Sequence, residues 1–206
     1  MFARSTTFKG KPSAVDAGVA LVREQVMPAV SAMPDFVGLS MLVDRDSGSC
    51  ITTTAWATEQ GMLSSDQQVA PLRDRAMQIF GDRPEVRQWE IAVLHRAQPS
   101  GDGACARVTW TRLDPAQVDH QLYVFRIGTL PQLEDLPGFC SASLLIDRKG
   151  GTAALAVTYE SRDALSTGRE AAVDLRVSAT TQMGVQILDV AEFEVAVAHL
   201  RVPETV

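Results

Sequence analysis

"LPGFCSASLLIDRKGG" (residues 136–151) and "MPDFVGLSMLVDRDSG" (residues 33–48) say nearly the same thing, 103 positions apart. Each reads as an apolar, partly β-branched strand that runs into a tight turn, DRKGG or DRDSG. Sliding the chain against itself by 103 positions extends the match in both directions. ARSTTFKGKPSAVD (3–16) falls on ARVTWTRLDPAQVD (106–119). Arg23 falls on Arg126, Pro28 on Pro131, Phe36 on Phe139, Leu72-Arg73 on Leu175-Arg176 and Gly81 on Gly184. A one-residue insertion in the second copy then sets WEIAVLH (89–95) on FEVAVAH (193–199). A register held over so much of the chain is a duplication. The repeats are expected at residues 1–96 and 104–206, with the polar, turn-rich AQPSGDG (97–103) as linker.

Each copy spells out an order of elements. FARSTTF and CARVTW are free of breakers and predict opening strands. Pro12 and Pro115 sit where a helix begins, with Asp16 and Asp119 in its first turn. Val15, Val19, Val22, Val26 and Val30 keep helical spacing, as do Val118, Leu122 and Phe125. Two strands around the DRDSG or DRKGG turn follow, ending near Trp56 or Tyr159. A second helix places Met62, Val69, Leu72, Ala76 and Phe80 on one face, matched by Leu165, Ala172, Leu175, Ala179 and Met183, with Gly81 and Gly184 as C-caps. A last strand closes the copy. The order is β-α-β-β-α-β, so the fold class is α+β with two ferredoxin-like repeats. One such sheet, with both helices on one face, leaves its other face bare, a larger apolar patch than a monomer tolerates. The duplication predicts two sheets packed face to face: an intrachain dimeric α+β barrel, a dimer made covalent, with further homodimerisation left open.

Composition narrows the functional classes. Hydrophobic residues at 46% and charged residues at 21% describe a folded, soluble chain. With 19 Lys+Arg against 25 Asp+Glu and no basic cluster, the net charge of −6 argues against nucleic acid as a partner. No apolar run approaches the roughly 18 residues of a membrane span, and MFARSTTFKGK lacks the apolar core of a secretory signal. Cys50, Cys105 and Cys140 are widely spaced, sit in apolar runs and form no CxxC, which fits buried thiols in a reducing cytoplasm. HExxH, Walker A, GxGxxG and GxSxG are all missing, and three His and three Cys scattered singly give no metal-ligand spacing.

The element order, the PDF or PGF opening of the second strand, and the phrases WATEQGM (56–62) and YESRDAL (159–165) together resemble the antibiotic biosynthesis monooxygenase-like family of dimeric α+β barrels. The resemblance covers both copies and implies one of three roles: cofactor-independent oxygenation of aromatic or quinol substrates, haem degradation, or no catalysis. Many members carry a His nine residues after the aromatic position, and in haem-degrading members a His on that helix ligates iron. Here those positions are Ser65 and Gly168, which argues against haem. The chain also contains no Asn, so an Asn contact to substrate or oxygen, used by some members, is excluded. The resemblance thus implies a monooxygenase without cofactor or metal, acting on a small aromatic or quinol. The alternatives are a module of the same fold that holds a small apolar ligand without turnover, or one that associates with another protein.

Residues recurring in both copies are the candidates for chemistry. The last strand of a ferredoxin-like sheet lies beside the first, which predicts Arg4–Glu90 and Arg107–Glu194 pairs. Such a pair either fixes sheet register or sets a carboxylate to orient or deprotonate a phenol while Arg holds the anion. His95 and His199 recur at the end of the closing strand, as packing groups or as a base at a pocket mouth. Trp56 and Tyr159, just before the second helix, are candidates to grip a planar ligand or to pack in the core. The expected catalytic set is therefore Glu90, Glu194, His95 and His199, and the expected substrate-binding set is Arg4, Arg107, Trp56 and Tyr159.

Overall fold

The computed structural model describes residues 1–200. β1 (Phe2–Lys9) leads through a 3-10 turn begun by Pro12 into α1 (Val15–Leu21). The fixed φ of Pro12 suits that first position, where its missing N–H costs nothing. A π-helical turn (Val22–Val26) separates α1 from α2 (Met27–Ser31). β2 (Phe36–Asp44) and β3 (Ser49–Trp56) form the hairpin, α3 (Glu59–Ser64) and α4 (Asp66–Phe80) the second helical stretch, and β4 (Glu85–Arg96) closes the series. The second series repeats it: β5 (Cys105–Arg112), α5 (Val118–Val124), a π turn (Phe125–Thr129), α6 (Leu130–Glu134), β6 (Phe139–Asp147), β7 (Thr152–Tyr159), α7 (Arg162–Thr167), α8 (Arg169–Met183) and β8 (Gln186–Leu200).

Two features depart from the regular helices that the spacing predicts. The first is the pair of π turns. Pro28 and Pro131 follow them directly, each lacking an N–H and crowding the carbonyl four residues back. Widening the turn just upstream relieves both problems. The second is the break at Ser65 and Gly168 between the two pieces of the second helix. The helix starts are capped by side chains: Thr58 Oγ1 accepts from Gly61 N at 2.9 Å, and Ser161 Oγ from Ala164 N at 3.1 Å. The ends are capped by Gly81 and Gly184 at φ +70° and +64°.

Strands within each series run in the ferredoxin-like order last-first-third-second, and the full order β1-β3-β2-β8-β5-β7-β6-β4 closes as a barrel. Among the described residues, closure leaves no strand edge unpaired. Among the described residues, Met1–Trp89 and those from Val195 onward make one compact unit and Glu90–Glu194 the other, so β4 and β8 each contribute to both. The first unit centres on Val15, Val22, Val30, Met41, Trp56 and Phe80. The second centres on Val118, Phe125, Leu133, Leu144, Tyr159 and Leu165.

The PDF and PGF phrases carry a packing exchange. Asp35 holds φ +63°, a left-handed conformation uncommon for a residue with a Cβ, and its counterpart Gly138 holds φ +65°. A Cβ on Gly61 would lie 2.6 Å from Asp35 Cβ, whereas the position matching Gly61 in the second series is Ala164, a residue that excludes any Cβ on Gly138. One member of each pair must be Gly. Gly61→Ala should therefore cost about 1–3 kcal/mol through overpacking. Adding Asp35→Gly, which recreates the Gly138–Ala164 arrangement, should recover most of it in urea melts. Simple additivity of the two losses would refute the coupling.

Candidate functional site

Strand alternation turns Arg107, Thr109 and Thr111 of β5 toward the helices of their own unit. Between them and α5, the π turn and α8 lies a cavity of about 90 Å3 of space open to the centre of a water molecule. Roughly 10–15 Å3 suffices for one water, so an organic molecule with a ring system fits. Its walls are apolar, including Leu122, Phe125, Leu144 and Leu175, with Arg107, Thr109, Gln121, Tyr159 and Arg176 as the main polar groups.

The first unit has the equivalent space, about 70 Å3, with Arg4, Thr6, Thr54 and Arg73 in its lining. Here two rings narrow the room. Phe8 and Phe80 stack with centroids 4.8 Å apart, and a Cβ on Gly18 would fall 2.3 Å from Phe80 Cζ. At the corresponding positions the second unit carries Thr111, Met183 and Gln121.

Arg107 is buried, and its Nε and Nη2 donate to Glu192 Oε1 at 3.2 and 2.9 Å. Its guanidinium also donates to the Leu165 carbonyl at 3.2 Å and lies 5.7 Å from the Tyr159 ring centroid, within cation–π range. Arg169 donates to the other Glu192 oxygen at 2.8 Å. Burial pushes the Tyr159 phenol above its usual range, against a smaller opposing pull from Arg107, so it stays protonated and able to donate. Arg176 makes no hydrogen bond or ion pair among the described residues; burial lowers its pKa, the Arg107 charge lowers it further, and Tyr159 and Glu192 oppose this.

Arg4, equally buried, is served differently. It donates to Ser65 Oγ at 2.8 Å and to the Met62 carbonyl, and its Nη2 lies 3.7 Å from Asp66 Oδ1. Asp66 accepts from Arg73 at 2.7 Å, which holds its carboxyl below the usual range. Burial lowers the Arg4 pKa, Asp66 opposes this, and Arg73 adds to it.

The expected Arg4–Glu90 and Arg107–Glu194 pairs are not formed. In the β5–β8 register Arg107 stands opposite Glu192 and Cys105 opposite Glu194. Directly opposed residues lie about 4.5–5.5 Å apart at Cβ, so Glu192 is the acid within reach. Glu90 stands opposite Ile146 on β6, where Arg148 of the following turn takes its carboxylate at 2.6 Å while also binding Asp119 at 2.8 Å. His95 stacks on Phe139 at 6.3 Å; its Nε2 lies 3.1 Å from Glu134 Oε1, out of line for a hydrogen bond. His199 is half-buried near the end of β8. None of Glu90, Glu194, His95 and His199 lines either cavity.

Of the aromatic pair, Tyr159 lines its cavity while Trp56 does not. Trp56 is fully buried, its Nε1 donating to Thr54 Oγ1 at 3.1 Å and its ring meeting Phe36 edge-on at 5.7 Å. Four residues outside the expected set shape the sites: Arg73, Arg176, Gln121 and Glu192. The repeated Leu-Arg at 72–73 and 175–176 was the available signal for the two arginines. Gln121 aligns with Gly18 and Glu192 with Gln88, so a search for retained residues passes over both. Cys50, in the lining of the first cavity, is a thiol pushed up to about 11 by burial and is inert at neutral pH. Among the described residues no group of three His, Cys, Asp or Glu side chains is placed to hold a metal ion, and no helix is long and apolar enough to cross a membrane.

No family model matches the sequence. The uncharacterized protein Rv2558 of Mycobacterium tuberculosis (strain ATCC 25618 / H37Rv) is 48% identical over 207 residues, covering all of this chain and 88% of the relative. Among solved structures, the FN1347 protein of Fusobacterium nucleatum superposes with TM-score 0.73 at 13% identity, covering 97% of this chain and 94% of that one. An anthrone oxidase-like protein gives 0.68 at 14% identity, with 97% and 93% covered. A Listeria monocytogenes ferredoxin-fold protein related to antibiotic biosynthesis monooxygenases gives 0.54 at 8%, with 94% of each chain covered. The chain thus belongs to one family with the mycobacterial protein Rv2558, and its duplicated ferredoxin-like barrel is the antibiotic biosynthesis monooxygenase fold.

Proposed function

We propose that the cavity of the second unit binds a small phenolic or quinol-type aromatic and that the protein oxygenates it with molecular oxygen, without cofactor or metal. The observation that carries this reading is Arg176, a guanidinium in the wall of an apolar cavity with no acid paired to it among the described residues. Beside it stand Arg107 and the protonated Tyr159. A cationic end in a mostly apolar cavity favours the ionised form of an acidic aromatic, because charges there attract more strongly than in water. The anion is electron-rich enough to reduce oxygen itself. For an activated ring methylene, one molecule of substrate and one of dioxygen give one ring ketone and one water. Both methylene C–H bonds break, one oxygen atom becomes the ketone oxygen, and the other leaves as water with the two hydrogens. The substrate is the only reductant. The likeness in fold to an anthrone oxidase-like protein supports this class of reaction.

An oxygen electrode tests it with anthrone and 1,4-dihydroxynaphthalene. Wild-type protein should consume oxygen above the spontaneous rate for at least one of them, and Arg176→Gln should lower kcat/KM about 100-fold, the effect of removing one charge-stabilising donor. Uptake no faster than the blank for both would end the oxygenase reading. A second reading, binding without turnover, is favoured by one observation: among the described residues, no carboxylate or imidazole lines the cavity to take a proton. Saturable binding without oxygen uptake would establish it.

The same proposal places the two repeats at residues 1–96 and 104–206, with 97–103 as linker, supported by β4 ending at Arg96 and β5 starting at Cys105. It also places the protein in the cytoplasm as an intrachain pseudo-dimer, with further homodimerisation open. Its three buried free thiols suit that compartment.

A further inference from the structure

We infer that the two cavities have parted in function: only the second takes a ligand, and Gln121 makes it selective for molecules bearing a hydroxyl or N–H donor at the end away from the arginines. The inference rests on the second cavity being the ligand site, as proposed above, and is independent of turnover.

Gln121 is 3% exposed and lines the cavity from α5. Its Nε2 donates to the Met183 carbonyl at 3.1 Å. A backbone carbonyl only accepts, so the amide must present its nitrogen there, which fixes its orientation. Oε1 is then left buried without a partner among the described residues. A buried acceptor in that state is costly unless something donates to it. Gln121 stands in the wall of a cavity large enough for an organic molecule, so a ligand donor that reaches the amide can serve this oxygen.

The opposite end is cationic. Arg176 and Met183 are seven residues apart on α8, roughly 10 Å along the helix axis. Polar groups thus stand at both ends of a mostly apolar cavity, which suits a flat, two-ended molecule. The first unit has lost this arrangement. Gly18 stands where Gln121 does, and the Phe80 ring occupies the space a side chain there would need.

Isothermal titration with three probes decides the matter. The probes are 6-hydroxy-2-naphthoate, with a carboxylate and a donor at opposite ends, its 6-methoxy analogue, which keeps the oxygen but not the donor, and 2-naphthoate. The hydroxy compound should bind at one per chain and at least tenfold more tightly than the other two. Gln121→Met, of similar volume and without an acceptor, should erase that preference, bringing the hydroxy compound down to the affinity of its methoxy analogue. Equal wild-type affinity for all three probes overturns the selectivity and leaves the ligand site standing. So does a preference that survives Gln121→Met. Two molecules bound per chain overturn the division of labour. No binding of any probe overturns this inference together with the site beneath it. The wild-type comparison needs no variant, so a poorly folding Gln121→Met does not remove the test.

Discussion

Glu192→Gln is expected to destabilise the protein by about 3 kcal/mol, the low end of the cost of breaking a buried ion pair from one side. Glu192 joins two arginines: Arg107, whose side chain is 6% exposed, and Arg169, which is 59% exposed. Nearly all of the cost comes from Arg107. Its charge cannot return to water, and its remaining acceptors are one carbonyl at 3.2 Å and a phenol oxygen at 3.5 Å. Gln keeps the shape and a single acceptor but removes the counter-charge. Glu90→Gln is the control. It breaks a shorter contact, 2.6 Å to Arg148, yet both side chains are about a third or more exposed, and such pairs contribute at most about 1 kcal/mol. Distance alone ranks these two contacts in one order and desolvation in the other, and the expected result follows desolvation. Urea melts measure both. A Glu192→Gln loss below about 1 kcal/mol would show that Arg107 remains solvated. Replacing both partners by Met should cost less than Glu192→Gln alone, because no buried charge is then left without a counter-charge.

That example marks where sequence reasoning stops. The alternation of β5 was enough to place Arg107 on a face with the last strand beside it. Choosing between Glu192 and Glu194 required the register, which is shifted by an irregularity at Trp110/Thr111 that no local residue pattern announces. The element order was legible because its signals are local: prolines at 12 and 115, glycines at 81 and 184, and the helical spacing between them. The site was legible only where the copies agree, as at Arg4 and Arg107. Its distinguishing residues are those where the copies differ. Trp56 and Tyr159 align without a gap, yet only the Tyr reaches a cavity, while the indole N–H is taken up by Thr54 of its own strand. A symmetric search finds what the duplication preserved, and the cavity's specificity lies in what it changed.

Phe80→Ala tests that asymmetry from the other side. The ring is 6% exposed, stacks on Phe8, and covers Gly10 and Gly18 so closely that a Cβ on either would lie 2.7 or 2.3 Å from its carbons. Removing it should cost about 3–5 kcal/mol, because two glycines and a helix cannot collapse into the gap. The same variant should open the first cavity to an apolar probe such as naphthalene, raising the bound number from one to two per chain. Adding Gly18→Leu then refills the space from the other wall. It also replaces a helical Gly, worth about 0.5–1 kcal/mol in that setting. The double variant should regain much of the stability and return the stoichiometry to one. A Phe80→Ala loss under about 1 kcal/mol, or an unchanged bound number, would mean the ring is not what closes the first cavity. With the expected outcome, residues 18 and 80 act as one coupled pair, small against large. The second unit holds the reverse pair, Gln121 against Met183, and leaves its cavity open.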